Sequence, residues 1–297
     1  MAAPRKNMFA AVRGCVLEGE PLSRHTTFKI GGPAEYFIEP HDEDDLREVL
    51  RAARARTMPV AILGAGSNVL VRDTGARGVV IRLSRPFFRS IAFDGGAVEA
   101  GSGVSLAHLI RETSARGRAG VEFLTGIPGT LGGALAGNAG AWGKSIADIV
   151  EIVRVMDYNG RHKALTKSAC GFRYRGSMLS RYIILGSRLY SRTKPPEWIE
   201  SRIQEYQARR RASQERAHPN AGCIFKNPDG VSAGQLLDAC GCKGWSAGGA
   251  AVSEKHANFI INKNKASSRD VITLMARMNR AVAQTYNVVL QPEIKIW

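Results

Sequence analysis

The sequence predicts an α+β fold in which glycine-rich loops between strands, rather than the start of a Rossmann helix, carry the binding. Two glycine clusters, GAGSN at 64–68 and GIPGTLGGALAGNAGA at 126–141, sit among apolar, β-branched runs. Short strand-like runs and amphipathic helices alternate along the 297 residues without an internal repeat. That length allows two or three domains, and Lys194-Pro195-Pro196 is the best candidate for a linker.

Taken in order, Glu35 to Glu39 alternates as a strand after the Gly31-Gly32 turn. Asp42 then caps a helix whose apolar face is Leu46, Val49, Leu50 and Ala53, and which Pro59 ends. The run PVAILGAGSNVLVRD reads as strand, glycine loop, strand, and GVVIRL (78–83) as a further strand. Two short strands surround Gly95-Gly96, and a helix runs from Ser105 to about Arg116, stopped by Gly117. After the glycine-rich segment come a strand ending in the Asn159-Gly160 turn, the polar connection CGFRYRGS (170–177), and the strand YIILGSRLYS (182–191). The last third reads as a helix from Glu197 to about Arg211, a helix capped by Ser232 and halted at Gly241, and a strand ending SEKHANFIIN. A long helix then starts at a Ser267/Asp270 capping box, and a final strand holds Glu293.

Bulk composition narrows the function classes. Hydrophobic residues make up 44% and charged residues 23%, the balance of a globular domain. No apolar run reaches the ~20 residues of a membrane span, and Arg13 interrupts any signal-peptide core, so the expectation is a cytoplasmic protein without membrane insertion. The five cysteines form no CxxC pair and the six histidines no HExxH, which leaves reduced thiols and no metal site. Lys and Arg outnumber Asp and Glu by 42 to 26, a net charge of +16 that attracts phosphates. With aromatics at 7% and none stacked among the basic residues, the sequence offers no single-strand nucleic-acid platform. A solvated helix face accounts for much of the basic run QARRRASQERAHP.

Six of the sixteen residues from Gly126 to Ala141 are glycine, where average usage of about 7% would supply one. A packed helix would avoid that content, because each glycine costs about 1 kcal/mol against alanine. A backbone wall against something flat or bulky uses it well, since N–H groups can donate without side chains intervening. A glycine-rich helix–helix contact is nonetheless the cautious reading of the segment taken alone, and only the second cluster, GAGSN, tips it towards a large cofactor. GAGSN departs from the dinucleotide fingerprint because it runs into a strand, so a diphosphate there would be held without a Rossmann helix.

Seven blocks then line up in order: TFKIGG (27–32), LGAGSNVLV (63–71), GVEFLTGIPGTLGGALAGNAGAWG (120–143), FRYRGS (172–177), NAGCIFKNP (220–228), SEKHANFIIN (253–262) and LQPEI (290–294). Together they resemble the UDP-N-acetylenolpyruvoylglucosamine reductases, in the compact second subtype, from about residue 20 to the end. The resemblance implies a two-subdomain FAD-binding module of the vanillyl-alcohol-oxidase (PCMH) type followed by an α+β substrate-binding domain. The expected division is 1–85 and 86–194 for the FAD subdomains and 195–297 for the substrate domain.

That family reduces the enolpyruvyl ether of UDP-N-acetylglucosamine for peptidoglycan synthesis, using tightly bound FAD and NADPH. By resemblance, Gly64, Ala65, Gly66, Ser67 and Asn68 approach the FAD diphosphate. Gly126, Ile127, Pro128, Gly132, Gly133, Asn138, Ala139 and Gly140 lie along the ribityl chain and ring. Arg175 matches the arginine that grips the substrate carboxylate, and Glu293 the glutamate that assists the enol intermediate. Cys223 stands where the family commonly has serine, the proton donor to the substrate carbon. Its thiol, with a reference pKa of about 8.5, is intrinsically the stronger acid, although a cation nearby favours thiolate. Tyr174, Lys226 and Asn227 are candidate contacts for the UDP-sugar. The rival readings are a different flavin oxidoreductase on the same module, and a basic nucleic-acid-binding protein without catalysis.

Overall fold

A computed structural model describes residues 8–215 and 217–297. The start of the N-terminal stretch, residues 1–7, and Arg216 of the basic run lie outside the described residues. The chain forms two compact units, each built from separated segments. The first comprises Met1–Glu20, Glu35–Gly64 and Arg77–Tyr206; the second comprises Pro21–Ala34, Ala65–Ala76 and Gln207–Trp297.

The first unit holds two sheets. One has four strands in the order Cys15–Pro21, Pro33–Glu39, Ala76–Ile81, Val60–Ile62. Its helix α1 (Glu43–Ala55) buries Leu46, Val49, Leu50 and Ala53, the face that the periodicity predicts. These residues share a core with Phe9, Ile38, Val79, Ile81 and Phe88. The second sheet is antiparallel, ordered His162–Thr166, Val150–Met156, Ile183–Tyr190, Ala97–Gly101, Ile91–Asp94. Its edge strand His162–Thr166 escapes the sequence reading because it is too polar to show alternation. Helix α2 (Leu106–Ala115), capped by Ser105, and the short helix α3 (Leu131–Ala136) bury Leu109, Leu131 and Leu135 in the core of this sheet. Helix α4 (Pro196–Ser213) follows the Lys-Pro-Pro break, and the division between units falls inside it, after Tyr206.

The second unit has a four-stranded sheet ordered Asn220–Cys223, Phe259–Asn262, Ala250–Val252, Ser246–Ala247. Helices α5 (Ala233–Ala239) and α6 (Ser268–Tyr286) contribute Leu237, Val271, Leu274 and Met278 to its core. The α6 capping box forms as read: Ser267 accepts from Asp270 N–H, and Asp270 accepts from Ser267 N–H. The terminal strand is only Lys295–Ile296, parallel to Val69–Leu70, so Glu293 precedes it rather than lying within it. The proline at 292 and the pairing of Glu293 N–H with Ile224 end the ladder before the strand begins. Among the described residues no helix is long and apolar enough to cross a membrane, and no group of three potential metal ligands occurs.

Asp42 shows what local chemistry contributes. Its carboxylate accepts from Asp45 N–H at 3.0 Å and from Arg13 at 2.6 and 2.7 Å. The backbone bond first, with His41 and Arg13 adding to it, holds the carboxyl at about 2, below its ordinary 3.8. A depressed folded pKa stabilises above the unfolded value and is lost on acidification. Asp42→Ala should cost about 1 kcal/mol at neutral pH. In urea titrations that difference should shrink as pH falls from about 4 towards 2; a gap that persisted at the acid end would contradict the assignment.

Candidate active site

The glycine-rich segment belongs to the first unit, and it is not a continuous loop. Thr130 caps α3, its hydroxyl accepting from Gly133 N–H, and burial of Leu131, Ala134 and Leu135 outweighs the helical cost of two glycines. Part of the segment is thus a packed helix despite its glycine content, because tertiary burial outweighs the propensity cost. Gly132 N–H donates to Ser102 O at 2.8 Å, and a β-carbon on Gly132 would stand 3.0 Å from Ser102 Cβ. Gly132 thus lets α3 lie directly on the Gly101–Gly103 turn. Gly133 differs: it is exposed, and its β-carbon would meet only Thr130 Oγ1, at an ordinary 3.6 Å. Nothing in the protein itself requires glycine at 133. Gly64 backs onto the α3 cap, where a β-carbon would come within 2.9 Å of Thr130 Oγ1.

After α3 the chain turns through Asn138 in the left-handed region, φ +44°, and pairs Gly140 with Ser145. The FRYRGS block docks there. Arg173 and Gly176 exchange backbone hydrogen bonds at 2.9 and 3.1 Å, closing a turn that holds Arg175 at φ +53°. Arg175 Nη1 donates to Gly140 O at 3.0 Å, and its guanidinium lies 5.5 Å from the centroid of the exposed Tyr174 ring. Ser177, which is buried, donates to the carbonyls of Leu135 and Ala136 at the end of α3. Ile127 N–H bonds Leu124 O after the Glu122–Leu124 turn, and Pro128 follows it; Ala139 N–H bonds Ala134 O. The arginine and the glycine wall are one connected structure.

The remaining blocks converge in the second unit. Thr27 N–H donates to Gly66 O, and Thr27 Oγ1 donates to Asn220 O at 2.7 Å. This joins TFKIGG, the loop Ala65–Asn68 and the strand that ends at Cys223. Gly66 is left-handed, φ +64°, and a β-carbon there would lie 2.1 Å from His25 O. Asn68 Nδ2 donates to Glu293 O at 3.4 Å, while Glu293 N–H donates to Ile224 O at 2.8 Å, one residue after Cys223. Lys226 N–H pairs with Gln291 O, so NAGCIFK and QPEI run side by side. Between Asn220 and Cys223 the register shifts at a bulge around Gly222, φ +76°, the kind of irregularity that re-aims a side chain. Cys223 is half-buried, whereas burial raises the thiols of Cys170 and Cys242, the latter to about 11.

Two predicted contacts have their amides engaged within the protein. Asn138 Nδ2 donates to Arg173 O at 3.0 Å and its Oδ1 accepts from Ala147 N–H at 3.2 Å, so its carboxamide braces the fold. Asn227 Oδ1 accepts from Ala233 N–H at the start of α5. Asn258, missed by sequence reasoning, binds both backbone groups of Phe225, accepting its N–H at 2.9 Å and donating to its carbonyl at 2.8 Å. It sits in the turn just before the strand Phe259–Asn262, where no local pattern marks it. His256 is structural: its ring accepts from Asn258 N–H and packs on Phe259, and burial lowers its pKa.

Cofactor fit can be tested on polar groups the protein leaves unsatisfied. In the first unit the hydroxyls of Ser102 and Thr125 are buried with no hydrogen-bond partner among the described residues. Both border the glycine segment, Thr125 directly before Gly126. Such groups are costly unless a ligand completes them. A bound molecule rich in hydroxyl and phosphate oxygens fits this donor set.

Comparison with known proteins agrees with that chemistry. Residues 34–166 match the model of an FAD binding domain. Residues 214–297 match the C-terminal domain of UDP-N-acetylenolpyruvoylglucosamine reductase. The UDP-N-acetylenolpyruvoylglucosamine reductase 2 of Symbiobacterium thermophilum is 43% identical over 286 residues, covering 96% of this chain and 92% of that protein. The chain belongs to the UDP-N-acetylenolpyruvoylglucosamine reductase family. The crystal structure of the Thermus caldophilus reductase is 35% identical and superposes with a TM-score of 0.83 over 96% of this chain and 99% of that one. A solvent-stable cholesterol oxidase, at 16% identity, TM-score 0.50 and 65% of this chain against 40% of its own, shares the fold alone. The reductase is thus an α+β flavoprotein carrying the FAD module of the vanillyl-alcohol-oxidase type, and an FAD-dependent oxidoreductase.

Two outcomes follow for this reductase. Gly133→Val should fold yet purify short of FAD by its visible spectrum, whereas Gly132→Ala must first displace Ser102 and should lose stability as well. Full flavin occupancy in Gly133→Val would show that no ligand lies against that face. At 175, glycine should be more stable than alanine by about 1 kcal/mol, because the left-handed backbone penalises a β-carbon. Equal denaturation midpoints for Arg175→Gly and Arg175→Ala would remove the strain argument.

Proposed function

We propose that Arg175, Cys223 and Glu293 act on the substrate in the reaction of this family, the NADPH-driven reduction of enolpyruvyl-UDP-N-acetylglucosamine to UDP-N-acetylmuramate in peptidoglycan precursor synthesis. FAD, when bound, supplies the hydride chemistry, accepting from NADPH and delivering to the alkene. What supports the residue assignment is the clustering of the blocks: the arginine turn is built onto the glycine wall, and the thiol and acid segments pair beside the Ala65–Asn68 loop.

Hydride addition at the terminal alkene carbon places negative charge on the carboxylate-bearing end of the substrate. A guanidinium suits that end because it is planar, always charged and able to bind two oxygens. Glu293 assists the enol by donating a hydrogen bond, which needs the protonated acid. Cys223 then gives its proton to the alpha carbon. Ser102, Thr125, Gly64 and the Gly126–Gly140 backbone are the first unit's groups for holding FAD, and Ala65–Asn68 those of the second. Tyr174, Lys226 and the Nδ2 of Asn227 remain for the UDP-sugar, and the net charge of +16 favours its diphosphate. The division 1–85, 86–194 and 195–297 is read as two FAD subdomains and a substrate domain. The two separate sheets and cores of the first unit support the first split, while Pro21–Ala34 and Ala65–Ala76 group with the last third and the first unit runs on to Tyr206. The cytoplasm, where UDP-sugars and NADPH are made, is its place of action.

Half-reactions separate these roles. Cys223→Ser should retain turnover. Cys223→Ala should lose about 10²–10⁴ in reoxidation of reduced flavin by the enolpyruvyl substrate while NADPH still bleaches the flavin. Full turnover by the alanine variant would remove Cys223 from the mechanism.

A further inference from the structure

Three ties join the arginine turn to the glycine segment: Asn138 to Arg173 O, Arg175 to Gly140 O, and Ser177 to the carbonyls ending α3. Only Asn138 uses both ends of one rigid side chain, holding Arg173 O with its donor and Ala147 N–H with its acceptor. Its backbone is itself left-handed, a conformation asparagine tolerates better than most residues. Two residues along from the carbonyl it holds is Arg175, whose own left-handed backbone persists only where its surroundings over-determine it.

We infer that Asn138 is a positioning residue for Arg175: its amide sets the turn that aims the guanidinium at the substrate carboxylate, and so ties carboxylate recognition to the wall along which the cofactor lies. Each end of the amide is engaged by the fold, one N–H on Arg173 O and the oxygen on Ala147 N–H, so its orientation is fixed by the turn that carries the arginine. The inference rests on the assignment of Arg175 to the carboxylate. A purely structural asparagine would weaken all ligands together; this one discriminates between ligands with and without the carboxylate.

The test uses FAD-loaded Asn138→Asp, which keeps the acceptor for Ala147 N–H but sets an oxygen against Arg173 O. Asn138→Gly is the companion variant, keeping the left-handed backbone without the side chain. Flavin absorbance titrations give the Kd of the enolpyruvyl substrate and of UDP-N-acetylglucosamine, which lacks the carboxylate. The expected result is a loss of roughly tenfold or more for the enolpyruvyl substrate, the scale of a misplaced charged contact, with UDP-N-acetylglucosamine binding and NADPH bleaching little changed. Arg175→Ala should show the same pattern, and adding Asn138→Asp to it should cost nothing further, because coupled residues are non-additive. Equal weakening of both ligands, an unchanged Kd for both, or an additive double variant would overturn the inference. If Arg175→Ala alone left enolpyruvyl binding intact, the arginine assignment would fail and the inference with it, a signature distinct from additivity.

Discussion

A wall made of glycine has almost no side chains with which to hold itself in place, and the first unit is arranged around that constraint. The segment from Gly126 to Ala141 gains its rigidity from neighbours: Leu131 and Leu135 sink into the core, Thr130 caps a six-residue helix, and the Gly101–Gly103 turn supports Gly132 from behind. The arginine turn is fastened to the same segment through Asn138, Gly140 and Ser177. One face of the segment is engaged by the core and by Ser102, and the exposed Gly133 lies on the other.

The second unit solves a different problem with the same means. Its chemical groups come from segments distant in sequence, and backbone pairing aligns them. Thr27 bridges the Gly66 loop and the Cys223 strand, and Asn258 serves Phe225 as an extra strand partner. The pairing of Ile224 with Glu293 sets a thiol segment beside an acid segment. Such main-chain registers are hard to shift, since a slip of one residue would turn every side chain to the opposite face.

Function and stability pull against each other at a few identifiable atoms. Arg175 and Asn138 occupy left-handed backbone, and Ser102 and Thr125 bury hydroxyls without partners among the described residues. Each costs folding free energy of the order of 1 kcal/mol or more, and each sits at the wall. These four are among the left-handed residues and unsatisfied buried groups of the described chain, others of which lie elsewhere, at Thr57, Lys265 and Arg85 for example.

Much was legible from the residues because its causes are local. Asp42, Ser105, Ser232 and the Ser267/Asp270 box cap helices within one turn of themselves, and the apolar periodicity of Leu46, Val49, Leu50 and Ala53 fixes which face is buried. The order of motif blocks carried the family and its cofactor. Other features depend on partners far along the chain. Helix α3 forms despite its glycines because Leu131 and Leu135 find a core, and Glu293 lies outside its expected strand because Ile224 captures its N–H. The Asn138 amide turns inward because Arg173 O and Ala147 N–H lie within its reach. The sequence alone determined the elements and the chemistry available, whereas the tertiary structure decided which groups brace and which remain to bind, because hydrogen-bond satisfaction is settled by distances that no local pattern encodes.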